Sequence, residues 1–164
     1  MNRRTISTTA QESWTRSDRT HQGDPIVAQS ATNITTGTEV YYLPEIAAVS
    51  RKLNAPENRA EDDIAVVQGL IAIYRRNNSG SVPDGFYNNE ITAILRGRNA
   101  KHFSVLAPDL PGSAINANGE LQDRWGTPYF FHPVSRELIE VRSAGPDRRF
   151  WTGDDIQSPD VVPG

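Results

Sequence analysis

An α+β fold, with one main helix packed on a small antiparallel sheet and a flexible, disordered polar tail at the N-terminus, is predicted by three observations. Residues 127–132 are almost all β-branched or aromatic, and residues 137–142 alternate apolar with charged side chains, so Pro133-Val134-Ser135-Arg136 reads as the turn of an antiparallel hairpin. Ile64, Val67, Leu70, Ile71 and Tyr74 recur at helical spacing, and the sheet needs such a face to cover it. Residues 1–39 hold too few apolar side chains to bury a core of their own.

Taken in order, the segment before residue 40 is rich in Ser, Thr, Gln and Asn. Arg3-Arg4 is followed by residues too polar for the apolar part of an export signal. The globular body is therefore expected over 40–164. Val40-Tyr41-Tyr42-Leu43 reads as a short extended piece, and residues 45–53 as one or two helical turns that Pro44 allows to begin. The main helix follows Asn54–Asn58. Glu61, Asp62 and Asp63 place acid at its start, Arg75 and Arg76 place cations at its end, and Asn77-Asn78-Ser79-Gly80 stops it. Tyr74 belongs to its core face. A second short helix with Ile91, Ile94 and Leu95 begins at Asn88 or Asn89, either of which can cap it, and ends near Gly97. His102–Leu106 is a strand or extended loop, and Ala107–Gly119 reads as loop.

Composition narrows the function. With 164 residues, 37% hydrophobic and 23% charged, the chain suits one domain plus a tail. A formal charge of −3 without a basic cluster argues against a nucleic-acid surface. No cysteine is present, which excludes disulfides, thiolate metal sites and a cysteine nucleophile. No run of the sequence is long and apolar enough to span a membrane. His21, His102 and His132 lie in no spacing that marks a nucleophile site, and no phosphate loop or His-Glu-x-x-His is found. A non-catalytic protein without a small-molecule substrate is expected.

The densest chemistry follows the hairpin. Ser143, Asp147, Asp154 and Asp155 crowd one loop together with the turn formers Gly145, Pro146 and Gly153. Such carboxylates repel unless they spread into water, pair with Arg148 and Arg149, or surround a hard cation. The spacing is not that of an EF-hand. An acid and base of a hydrolase normally face each other across a cleft rather than crowd a single loop. Trp125, beside Gly126, reads as a plug beneath its turn; Trp151, beside Phe150, either seals the loop or presents an apolar contact to a partner.

The run Asp123-x-Trp125-Gly126-x-Pro128-Tyr129, a second strand, then Ser143-x-Gly145-x-Asp147 and a terminal Asp155-Ile156 resembles the C-terminal end of the type G protein, the major pseudopilin of type II secretion systems. The likeness reaches back over the helix at 62–76. The resemblance implies a calcium ion in the loop, with Asp147 and Asp155 as side-chain ligands and the carbonyl of Ala144 and Ser143 as helpers; Asp154 has no counterpart. It also implies protein partners among secretion-system or pilin-like subunits and a periplasmic or cell-envelope location. Pseudopilins carry a cleavable leader and a long apolar helix, neither of which is found in this sequence. Two readings follow. One is a structural protein related to pseudopilins; the other is a soluble interaction module that keeps the head fold, stays out of a pilus, and binds a partner through the loop and Phe150-Trp151.

Overall fold

Residues 5–6, 14–17, 28–33 and 37–159 are described by a computed structural model. The longest element is helix α2, Ala60–Asn77 (α1 precedes it below), which buries Asp63, Ile64, Val67, Leu70, Ile71 and Tyr74 along one face. Its charges oppose its dipole as the sequence predicts, with Glu61, Asp62 and Asp63 in the first turn and Arg75 and Arg76 in the last. The Arg59 N–H donates to the Asp62 carboxylate at 2.8 Å, which closes the start of the helix. Gly80, at φ +80°, lets its N–H turn back to the Arg75 carbonyl at 2.9 Å and closes the end.

The face of α2 lies on a three-stranded sheet of β6 (Phe130–Pro133), β7 (Ile139–Ser143) and β8 (Ile156–Gln157). The hairpin register pairs Phe130 with Arg142 and Phe131 with Val141. Along β7, Ile139, Val141 and Ser143 are buried while Glu140 and Arg142 are half-exposed, the alternation the sequence predicts. Thr127, Pro128 and Tyr129 precede the strand; they are held by a bridge from Gln122 to Pro128 and by the Tyr129 N–H on the Leu121 carbonyl. β8 is the strand the sequence does not announce. It returns from the carboxylate loop to pair Gln157 with Arg142 and Ile156 with Ser143.

A second sheet joins β1 (Thr5–Ile6), β2 (Trp14–Ser17), β3 (Gln29–Asn33), β4 (Glu39–Tyr42) and β5 (Phe103–Ser104), antiparallel except for β4 with β5. Helix α1 (Pro44–Ser50) packs on α2, and α3 (Asn88–Leu95) packs on β5. Asn88 does not cap α3, because Tyr87 is the cap residue; the Asn88 amide instead donates to the Leu121 and Tyr129 carbonyls at 2.8 and 2.7 Å. Gly97 follows α3 at φ +106°, where an added Cβ would stand 2.4 Å from Val40. That close approach seats the turn after α3 against Val40 of β4. Val40 and Tyr42 face one continuous core shared with α2, α3 and the hairpin.

The tail expected over residues 1–39 falls mostly outside the described residues, as does His21. Where it is described, Gln29–Asn33 is a strand on β4 with Ala31 only 1% exposed, so the folded body reaches N-terminal of residue 40. Ser30 is polar and Ala31 small, so neither announces burial. They gain their place from the backbone ladder with β4 rather than from apolar area of their own. Among the described residues, no helix is long and apolar enough to cross a membrane.

Candidate functional site

Asp123 organises the first half of the motif. Its carboxylate is 2% exposed; Oδ1 accepts the N–H groups of Trp125 and Thr127 at 3.0 and 2.9 Å, and Oδ2 accepts the Ser143 hydroxyl at 2.6 Å. Its backbone N–H donates to the Thr127 carbonyl, and Gly126 supplies the positive φ of +84° that the reversal needs. Residues 123–127 are thereby folded into a tight turn and fixed to the end of β7. Trp125 is half-buried beside this turn rather than sealed beneath it.

Arg124 ties the same turn to α2. Its guanidinium meets the Asp63 carboxylate at 2.7 Å, while the other Asp63 oxygen accepts the Asn54 N–H at 3.1 Å and the Asn58 amide at 2.8 Å. Asp63 is 1% exposed. A charge buried on the core face of a helix is tolerable only because it is saturated in this way. Periodicity marks position 63 as part of the buried face, but nothing local announces a partner 61 residues away.

The carboxylate loop is closed by its own backbone. Gly145 sits at φ +69° with the Asp154 carbonyl oxygen 2.3 Å from where a Cβ would lie. Gly145→Ala is therefore expected to force both a left-handed Ala and a backbone displacement, a loss of about 2–4 kcal/mol. A thermal melt should fall by roughly 5–15 °C.

Each loop carboxylate accepts donors from the chain. Asp147 accepts the Arg149 N–H at 2.8 Å and gives its own N–H to Asp154 at 3.1 Å; Asp154 also accepts the Thr152 hydroxyl at 2.7 Å. Asp155 has a side chain only 3% exposed, and its Oδ2 accepts the Trp151 N–H at 2.8 Å and the Arg142 guanidinium at 3.0 Å. Arg142 also donates to Gln157 at 2.8 Å and lies 4.7 Å over the Trp151 ring.

Burial pushes the Asp155 carboxyl up, but the Trp151 N–H, the Arg142 guanidinium and the Thr152 N–H outweigh it and hold it below the ordinary carboxylate range. The Thr152 hydroxyl and the Asp147 N–H hold Asp154 down as well. With folded values below unfolded ones, the loop's share of stability is complete above the unfolded carboxylate pKa of about 3.9 and is lost as pH falls through the lower folded values. An acid titration followed by the Trp151 indole resonance should show the loop intact at pH 5 and loosening only below about pH 4.

The four residues implied as calcium ligands are thus placed in different roles. Ser143 is buried and commits its hydroxyl proton to Asp123; Ala144 is fully buried at the end of β7; Asp147 is exposed at the loop rim; Asp155 is tucked under the loop against Arg142. Among the described residues, no three of His, Cys, Asp and Glu gather closely enough to hold a metal ion. This arrangement does not fit a cation at Asp155, because a guanidinium already occupies the oxygen that faces the strand. Asp155 pairs with Arg142 on β7; Arg148 and Arg149, the partners the spacing suggests, form no ion pair among the described residues.

Trp151 presents its ring outward. It is 69% exposed and adopts φ +71°, a region that bulky side chains rarely enter. Phe130 lies 5.5 Å from it edge-on, and Phe150 lies 6.0 Å from Phe130, so three rings from β6 and the loop form one cluster on the outer face of the sheet. Phe130 is the member that sequence reasoning missed. Its outward direction follows from the alternation with buried Phe131. Comparison with protein-family models, with curated proteins and with solved structures finds no match to this chain.

Proposed function

We propose that the chain is a non-catalytic structural protein related to the pseudopilins of type II secretion systems, in which Arg142 paired with Asp155 does the work of calcium in the C-terminal loop. The supporting observation is that the residues carrying the resemblance belong to one connected unit. Asp123 orders the Trp125-Gly126 turn and reaches Ser143; Gly145 closes on Asp154; Asp155 returns to Arg142 on β7. Each carboxylate of the unit is an acceptor for protein N–H or O–H groups, which suits a scaffold and leaves none poised as a general base. In this reading the partners are secretion-system or pilin-like subunits, and the location is the periplasmic side of the cell envelope.

The exposed Trp151 ring favours a second reading, a soluble interaction module with the same head that stays out of any pilus. Because the sequence holds no cysteine, single cysteines introduced at exposed positions give unambiguous cross-links. The variants would be expressed in cells that assemble a type II secretion apparatus. Cross-links to pseudopilus subunits support the structural role; cross-links confined to proteins outside the apparatus support the module; none to any protein would remove both.

A further inference from the structure

The sheet of β6, β7 and β8 keeps an open stretch of edge. β8 covers β7 only as far as Ser158, whose N–H donates to the Val141 carbonyl at 2.9 Å and whose hydroxyl accepts the Val141 N–H at 3.1 Å. In an antiparallel ladder alternate residues face the same neighbour, so Ile139 and Glu137 turn their backbone groups to the same side as Val141. No strand lies there among the described residues. The Ile139 carbonyl is met by the Gln68 amide at 3.4 Å, and the Glu137 carbonyl by the Arg75 guanidinium at 2.9 Å. Between this edge and α2 runs a groove of about 70 Å³, with Gln68, Ile71, Ala72, Arg75, Val82 and Leu138 in its lining.

The sequence beyond β8 matches this edge position by position. β8 sets Ile156 against Ser143 and Gln157 against Arg142, and the same register sets Ser158 against Val141, Asp160 against Ile139 and Val162 against Glu137. Only residues 158, 160 and 162 then turn an N–H to β7. Pro159 and Pro163, which have none, fall on positions that face away. The side chains keep step, since Ile156 is half-buried and Ser158 buried while Gln157 and Pro159 are exposed; Asp160 and Val162 follow on the inner face and Val161 on the outer.

We infer that residues 160–162, which lie outside the described residues, dock as an added strand on this edge of β7 and close the groove. The Asp160 and Val162 N–H groups take the Ile139 and Glu137 carbonyls, and the Val162 side chain enters the groove. Gln68 and Arg75, released from those carbonyls, donate to the Asp160 carboxylate, so every donor keeps an acceptor in the exchange. The chain's own segment is the occupant because it is tethered. Pro159 directly follows the last residue on the edge, so residues 160–162 arrive at an effective concentration of roughly millimolar or above, which a strand from another molecule has to exceed. The proposal stands on the register of β8 and does not depend on the pseudopilin kinship.

Amide hydrogen exchange of the full chain, followed residue by residue by NMR, tests this. The Asp160 and Val162 amides should exchange at least about tenfold more slowly than the Val161 amide between them. Val162→Asp, which puts a charge in the groove, should abolish that difference and leave exchange of the α2 amides unchanged, so loss of docking is told apart from loss of the fold. Because the sequence holds no cysteine, a second arm reads the placement. Ala72→Cys with Val162→Cys should form a disulfide within one molecule under mild oxidation, and Ala72→Cys with Val161→Cys should form it several-fold more slowly. Equal exchange at all three amides, protection at Val161 in place of its neighbours, or a Val162→Cys disulfide found only between molecules would each overturn the proposal.

Discussion

Replacing Asp123 with Ala should lower stability by about 3–4 kcal/mol, because three donors lose their acceptor at once and each buried unsatisfied group costs about 1–3 kcal/mol. Those donors are the Trp125 and Thr127 N–H groups and the Ser143 hydroxyl, around a carboxylate that is 2% exposed. The midpoint of a thermal melt should fall by roughly 6–16 °C. Asn should lose less than Ala, since its carbonyl oxygen can keep the two backbone donors while the rotatable Ser143 hydroxyl accepts from its amide. Asp109→Ala is the control. That carboxylate pairs with Arg51 at 2.7 Å, but both side chains are more than a third exposed, so its removal should cost about 0–1 kcal/mol. A loss at Asp123 no greater than at Asp109 would mean that the turn holds itself together.

Asp63→Ala carries the other large expected effect. Removing it leaves Arg124, the Asn54 N–H and the Asn58 amide without their shared acceptor on the core face of α2. Breaking one side of a buried pair typically costs about 3–5 kcal/mol, because the remaining charge is buried alone. The double variant Asp63→Leu with Arg124→Met should recover the share of that loss due to the unpaired guanidinium, while the share due to the Asn54 N–H and the Asn58 amide remains. A double-mutant cycle read by urea unfolding checks this. Additive losses would show that Asp63 and Arg124 act independently despite the 2.7 Å contact.

The parts of the fold legible in the sequence are those whose signal is local. Helix α2 declares itself by apolar period, acidic start and basic end, and the hairpin by its alternation, although Pro133, expected in the turn, is the last residue of β6. The illegible parts are held by partners distant in sequence. β5 is two residues long and pairs in parallel with β4 some 62 positions earlier, as Tyr41 with Phe103 shows. β3 carries small polar residues whose burial comes from the ladder with β4. In the site, the density of carboxylates after β7 was visible, but the choice of cation was not. Arg148 and Arg149 are nearer to Asp155 in sequence, yet the antiparallel return of β8 sets Arg142 opposite Gln157 and so within 3.0 Å of Asp155. Alternation had already put Arg142 on the outer face of β7; the missing knowledge was the register of a two-residue strand.

Whether Arg142 has replaced a metal ion is tested most directly by melting the full chain with calcium added and again with excess chelator. A ligand that binds only the folded state adds about 2.7 kcal/mol at a hundredfold excess over its dissociation constant, which would raise the midpoint by roughly 5–11 °C. With Asp155 held by Arg142 and the Trp151 N–H, no difference between the two melts is expected, and Asp155→Ala should lose the same amount in both. A clear rise in calcium that disappears in Asp147→Ala or Asp155→Ala would contradict the Arg142 lock and restore the ion to the loop.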